Sequence, residues 1–185
     1  MTNRNSPNLP DPLRQLLDTP DLPGLGPQRR SGAWPLRQVE QQTGVWLGHS
    51  GLPQRAQDLI RGTLLLWHDH LGAAHTISQA IEDADGSLLH AIMHRREPDY
   101  GNSKYWFRRV GKHPCYPAIA ASVGALLKPE HAKLAARVIP SGAWDPFAFV
   151  DMCEKAASGE CAANILQEIQ KLEIESFLAH VCVSK

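Results

Sequence analysis

The sequence predicts an all-α fold. Apolar residues recur at three- and four-residue steps over several long stretches, and no stretch of convincing length alternates polar with apolar residues. Proline and glycine interrupt those stretches at short intervals, as close connections between packed helices require. The expectation is a single α-helical domain of about seven helices over residues 36–185, preceded by a proline-rich arm over residues 1–35.

The arm holds seven of the fourteen prolines. Each proline fixes φ and removes an N–H donor, so no long element is expected there. One helical turn is expected at Leu13–Asp18, opened by Asp11 and Pro12. The rest reads as an extended segment, either disordered or laid over the domain. Val39, Val45, Trp46 and Leu47 then supply apolar anchors before Ser50–Gly51.

A long helix is predicted from about Pro53. Its inner stripe is Ala56, Leu59, Ile60, Leu64, Trp67, Leu71, Ala74, Ile77 and Ile81. Asp83–Gly86 ends it, with Gly86 suited to a positive φ. Ser87 caps a shorter helix to about Arg96, and Pro98 limits its extension. These two runs predict an antiparallel helical hairpin at 53–97. Asp99–Asn102 reads as a turn, and Asn102 or Ser103 caps a helix over 104–110 that Gly111 closes. Further helices are expected at 117–127, from Pro129 to Val138, from Asp145-Pro146 to about Ser158, and over about 160–181.

The composition narrows the function classes. Lys plus Arg equals Asp plus Glu at 19 each, so no overall field draws the chain to nucleic acid or anionic lipid. No apolar run approaches the ~20 residues that span a bilayer. The first residues lack the apolar core of a secretory signal, so a cytoplasmic protein is expected. The four cysteines form no C-x-x-C pair and read as reduced, mostly buried thiols; a Cys153–Cys161 disulfide stays open.

The chemistry concentrates between His68 and His113, which hold six of the nine histidines. On one long helix His68, His75 and Glu82 would share a stripe at seven-residue spacing, with Gly72 leaving room on it. On the next helix His90, His94 and Glu97 share a face. Folding the hairpin would bring imidazoles and carboxylates of both helices into one layer, as in helical metal sites. The predicted ligands are His68, His75, His90, His94 and Glu97, for a divalent transition metal. The spacing is not H-E-x-x-H.

A second inventory follows. Arg95, Arg96, Lys104, Arg108 and Arg109 lie among Tyr100, Tyr105, Trp106 and Phe107, with Lys112 close behind. Guanidinium forks hold carboxylate or phosphate, so these five are the expected anion-binding residues for a small anionic molecule. The competing expectation is that several of the arginines pair with Glu97, Asp99, Asp145 or Asp151 as internal braces. Asp69 between two histidines is comparable to His-Asp phosphohydrolase motifs, without the rest of that ligand set. Cys115 lies two residues after His113, a thiol near an imidazole, in a turn where structural cysteines are common.

The run HAIMHRREPDYGNSKYWFRRVGKHP, with WHDHLGAAH before it and WDPFAFVD after it, resembles an uncharacterised family of helical proteins from bacteria and fungi. That family carries a segment close to H-R-R-E-x-D-x-x-N-x-K-Y-W-F-R-R-V-G-x-H-P. The match covers about residues 58–151. The resemblance implies a shared helical fold and a shared site in this stretch, and no activity.

Three functional readings stand side by side. The first is a His/Glu/Arg-rich pocket that binds metal and a small anion, with hydrolysis as its chemistry. The second is a non-catalytic interaction module that uses the Arg/aromatic cluster as its contact surface. The third is a buried polar network that serves the fold alone.

Overall fold

The computed structural model describes residues 7–183; the first six residues of the predicted arm and the last two of the chain lie outside it. Ten α-helices and no strand occur among the described residues. They are α1 (Asp11–Leu17), α2 (Leu36–Ser50), α3 (Gln54–Trp67), α4 (Leu71–Ser78), α5 (Ala84–Arg96), α6 (Tyr100–Val110), α7 (Tyr116–Leu126), α8 (Ala132–Val138), α9 (Pro146–Ala157) and α10 (Asn164–Val183). Single 3-10 turns at Pro129–His131 and Pro140–Gly142 precede α8 and follow it. None of the helices is long and apolar enough to cross a membrane.

Helix α5 is the central element. Every residue from Asp85 to Arg96 is buried, although the segment carries an aspartate, two histidines and two arginines. Helix α6 packs along it most extensively, with α4 and α3 on its other flanks. Helix α10 packs on α3 and α7, and α9 on α6. Because α5 is enclosed, each polar group on it must find a partner inside the protein.

The long helix predicted from Pro53 is two helices, and the break lies at His68-Asp69-His70. Asp69 takes a left-handed φ of 64°. The N–H of His70 reaches back to Leu65 O at 2.9 Å, and that of Asp69 to Leu66 O at 3.2 Å. This bond pair is the usual left-handed helix stop, with aspartate where glycine is commonest. Aspartate tolerates the conformation, and its carboxylate is then captured. Oδ1 accepts from Arg96 Nη2 at 2.8 Å, and Oδ2 accepts from Arg30 N and Nε at 3.0 and 2.9 Å. No glycine or proline marks the stop, so the apolar period runs through it unbroken.

The same break holds the N-terminal segment. His68 Nδ1 accepts from Trp34 N–H at 3.2 Å, so Nε2–H donates to Leu16 O at 2.9 Å. His70 Nε2 meets Trp34 O at 2.9 Å. Leu9, Leu13, Leu16 and Leu17 lie in the main core cluster, so residues 7–35 are laid over the domain and anchored. Gln170 Nε2 adds bonds to Pro23 O and Gly24 O at 3.3 and 3.1 Å. The apolar anchors after Pro35 form part of α2, which ends at Gly51 with φ 66°. Of these, Val39 and Leu47 are buried, whereas Val45 is exposed.

Two cap assignments move. Asp83, not Ser87, caps α5, its Oδ1 accepting from Gly86 N–H at 3.0 Å. Asp99, not Asn102 or Ser103, caps α6, accepting from Asn102 N–H at 3.2 Å. Both helices therefore begin about a turn earlier than predicted. Asp145 caps α9 as expected, with Phe147 and Ala148 N–H both at 3.0 Å. All four cysteines are free thiols, so Cys153 and Cys161 form no disulfide.

Candidate metal centre

Helix α4 brings His75, and α5 brings His90 and His94, to one place. One ring nitrogen from each lies within 4.8 Å of one from each of the others. The His75–His90 and His75–His94 ring centroids are 4.7 and 5.0 Å apart, and His90 stacks on His94 at 4.7 Å. The four-residue spacing of His90 and His94 places them on one face of α5. His75 reaches them because the break at Asp69 lets α4 lie against α5.

Helix α6 supplies the opposite wall. Trp106 stacks on His90 with centroids 4.0 Å apart. Asn102 Nδ2 lies 3.1 Å from His94 Nε2. With the amide donating, the His94 Nε2 lone pair is held by Asn102, and Nδ1 carries the proton facing Glu97 Oε2 at 3.4 Å, so a metal at Nε2 would displace the Asn102 amide. Both ring nitrogens of His90 are buried without any hydrogen-bond partner. Burial first, then neighbouring His94 and His75, pushes the His90 imidazole down to about 4. Burial and His75 lower His94 against the pull of Glu97 and Asp99. Neutral imidazole is the form that ligates metal.

Of the five predicted ligands, three converge. Glu97 stands behind His94 as an orienting carboxylate rather than within the cluster. His68 is elsewhere: it stacks on Trp34 at 4.9 Å, and both its nitrogens are spent on the N-terminal segment. Glu82, on the predicted stripe with it, is exposed in the α4–α5 turn. His68 leaves the seven-residue register because the chain turns at Asp69, and Glu82 leaves it because α4 ends at Ser78.

The predicted anion-binding set also divides. Arg95 is fully buried, with Nη1 and Nη2 donating to Glu173 at 3.1 and 2.5 Å and its guanidinium 4.5 Å from the Phe149 ring centre. Arg96 is equally buried and donates to Asp69, Gly26 O and Leu66 O. Neither faces a ligand; both are internal braces, though not to the acids expected. Lys104 pairs with Asp151. Arg108 and Arg109 are exposed, and Arg109 lies 5.1 Å from the centre of the Trp106 ring. Asp69 is the counter-charge of Arg30 and Arg96, which removes it from any phosphohydrolase-like role.

A second cluster, Asp85, His113 and His180, lies on another face of α5. Asp85 Oδ1 accepts from Nε2 of His113 at 2.8 Å and of His180 at 2.9 Å, while Arg55 donates to Oδ2 at 2.5 Å. The N–H of Cys115 points at His113 Nδ1 from 3.2 Å, which places the His113 proton on Nε2. That nitrogen is then a donor to Asp85, and it has no lone pair for a metal. The Cys115 Sγ is 2.9 Å from Nδ1, but burial pushes the thiol far up, away from nucleophilic thiolate. This cluster joins α5, the α6–α7 turn and α10 as a satisfied network. Sequence carries no local signal for it, since the partners are 28 and 95 residues apart.

His68 makes the fold acid-sensitive. Burial holds its imidazole down to about 4, against about 6.5 in an open chain. The unfolded chain therefore takes up this proton first as pH falls. The contribution is whole above pH ~6.5 and is lost on the way to pH ~4, on the order of 3 kcal/mol for complete neutral burial. Urea midpoints of metal-free protein are expected to drop steadily across that window. A flat profile from pH 7 to 4.5 would contradict a neutral His68.

Neither a family model, nor a curated protein, nor a solved structure matches this chain.

Proposed function

We propose that this protein binds a divalent transition-metal ion through His75, His90 and His94. The observation that carries this reading is His90. It is 3% exposed, both its ring nitrogens lack partners, and two further imidazoles stand beside it. A buried polar group without a partner costs roughly 1–3 kcal/mol, and a bound cation would recover that cost. The three other buried charged clusters on α5, around Glu173, Asp69 and Asp85, have hydrogen-bonded carboxylates, and Arg95 Nε is the unpartnered nitrogen there, whereas His90 has both of its nitrogens unpartnered.

Three imidazole ligands suit zinc, and equally cobalt, nickel or copper. Tetrahedral zinc with bonds of about 2.0–2.1 Å needs ring nitrogens about 3.4 Å apart. Reaching that spacing requires side-chain rotations of His75 and His94 and the release of His94 Nε2 from Asn102. Three protein ligands leave a fourth position for water, which is the arrangement of hydrolytic zinc sites. Arg109, beside Trp106, is the predicted cation best placed to hold a small anion near such a centre. The interaction-module reading keeps only Tyr105, Arg108 and Arg109 on the surface, since Trp106 faces His90.

The test is elemental analysis of purified protein, with zinc titration after chelator treatment. One equivalent per chain and a raised melting temperature are expected, both lost in His90→Ala and His75→Ala. At a free zinc level of 100 times Kd the stabilisation is about 2.7 kcal/mol. Substoichiometric metal in the parent protein, with no melting response to zinc, cobalt, nickel or copper, would sink the reading. Variants that change stability but leave one bound equivalent would move the site elsewhere.

A further inference from the structure

A histidine ligand aims a nitrogen at its metal only when its ring is held at one angle. The χ2 torsion of histidine is broad, so the ring needs a holder. The usual one is a hydrogen bond from the second ring nitrogen to a carboxylate or a backbone carbonyl. Among the described residues His68, His90, His94 and His113 are buried. Three of them are turned by such bonds. His68 is held by Leu16 O and Trp34 N–H, His113 by Asp85 and Cys115 N–H, and His94 by Glu97 and Asn102. His90 has no hydrogen bond at either nitrogen.

Other rings hold His90 instead. Trp106 lies against it with centroids 4.0 Å apart and planes 24° from parallel. His94 stacks on it at 4.7 Å and 17°, and His75 meets it at 4.7 Å and 55°. His75 and His94 are ligands themselves and must turn as a metal enters, so neither can fix the third ring. Trp106 can. Tyr105 meets the indole edge-on, with centroids 5.5 Å apart and planes at 84°, and the Arg109 guanidinium lies 5.1 Å from its centre. Both neighbours belong to α6, the helix that packs most extensively along α5. An imidazole this close to a flat indole cannot turn about χ2 without driving one edge into it. The stacked face offers no acceptor, so the ring is held while both its nitrogens stay open.

We infer that Trp106 is a positioning residue of the metal centre, and that its stacking on His90 sets the ring angle at which a nitrogen faces His75 and His94. It does for His90 what Glu97 does for His94. The inference rests on metal binding by the three histidines.

Zinc affinity, read by competition with a chromophoric chelator, is compared in the parent protein, Trp106→Phe, Trp106→Leu and Phe107→Leu. Trp106→Phe keeps a stacking face and is expected to bind within about threefold of the parent. Trp106→Leu keeps apolar bulk without a ring. It is expected to weaken zinc roughly tenfold, the low end of what groups behind metal ligands contribute. Phe107 is buried on the same helix and faces Phe147, so Phe107→Leu should lower stability and keep the parental affinity. Cobalt supplies a readout that a purely structural role would not move, since its visible absorption reports the number and geometry of its ligands. At saturating cobalt the parent and Trp106→Phe should share one spectrum, whereas Trp106→Leu should give a weaker, shifted band as His90 is lost from the ligand set. A parent protein that takes up neither metal would end the metal reading and the role of Trp106 with it. A parent that binds both, beside a Trp106→Leu variant with the same affinity and spectrum, would overturn the positioning role and leave the metal site standing. Equal loss of affinity in Trp106→Leu and Phe107→Leu, with the cobalt spectrum unchanged, would reduce Trp106 to a support of the fold and overturn the inference as well.

Discussion

Replacing Glu173 with alanine is expected to lower stability by about 3–5 kcal/mol, among the largest single effects in this protein. Glu173 and Arg95 are both fully buried, and the carboxylate receives both terminal nitrogens of the guanidinium. Removing the acid leaves a permanent cation inside the core, where only Gln170 Oε1 at 3.4 Å and the face of Phe149 remain to it. Arginine does not shed its proton to escape, because its pKa is too high. The double variant Arg95→Met, Glu173→Leu removes both charges and fills similar volume. It should recover most of the loss, and finish within about 1–2 kcal/mol of the parent protein. Urea unfolding of the three proteins with chelator present reads this out directly. A Glu173→Ala midpoint close to that of the parent would contradict the buried pair.

The second large effect is expected at Gly86. This glycine lies in the first turn of α5, held by the Asp83 cap. A Cβ built there would be 2.0 Å from the backbone oxygen of Ile81 and 2.6 Å from its Cβ. Backbone cannot rotate away as a flexible side chain can, so the turn from Ile81 to Asp85 must open. Gly86→Ala is expected to cost about 3 kcal/mol or more, although alanine is the better helix former by about 1 kcal/mol. The disturbance reaches Asp85 and through it Arg55, His113 and His180. Gly44→Ala is the matching control, since its Cβ would meet nothing within 4 Å inside α2. That change should stabilise by up to ~1 kcal/mol. Thermal melts of the pair separate the two cases, and equal melting temperatures would refute the close approach.

The contrast explains which features were readable in advance. Glycine after a helix end commonly takes a positive φ, and the sequence predicts this for Gly86. The glycine is instead needed for what it lacks, since Ile81 O occupies the space of a side chain. Both uses leave the same letter in the sequence. His68 shows the same limit. Its register with His75 was sound for one helix, and the stop at Asp69 rotates it away to Trp34 and Leu16.

By itself the sequence determined the helical class, the helices from α7 to α10 to within a few residues, and the neighbourhood of His75, His90 and His94. These rest on local physics: apolar period, caps, prolines at first turns, and the four-residue spacing of two imidazoles on one face. Only the tertiary structure decided which charges are spent inside. Arg95 and Arg96 look like a binding pair in a string of letters, and their partners Glu173 and Asp69 lie 78 and 27 residues away. Pairing at that distance depends on the stop at Asp69 and the placement of α10 against the domain. Once the charges of those arginines are paired and His68 and Asp85 are bonded by such partners, His90 is the buried imidazole left with both nitrogens unpartnered.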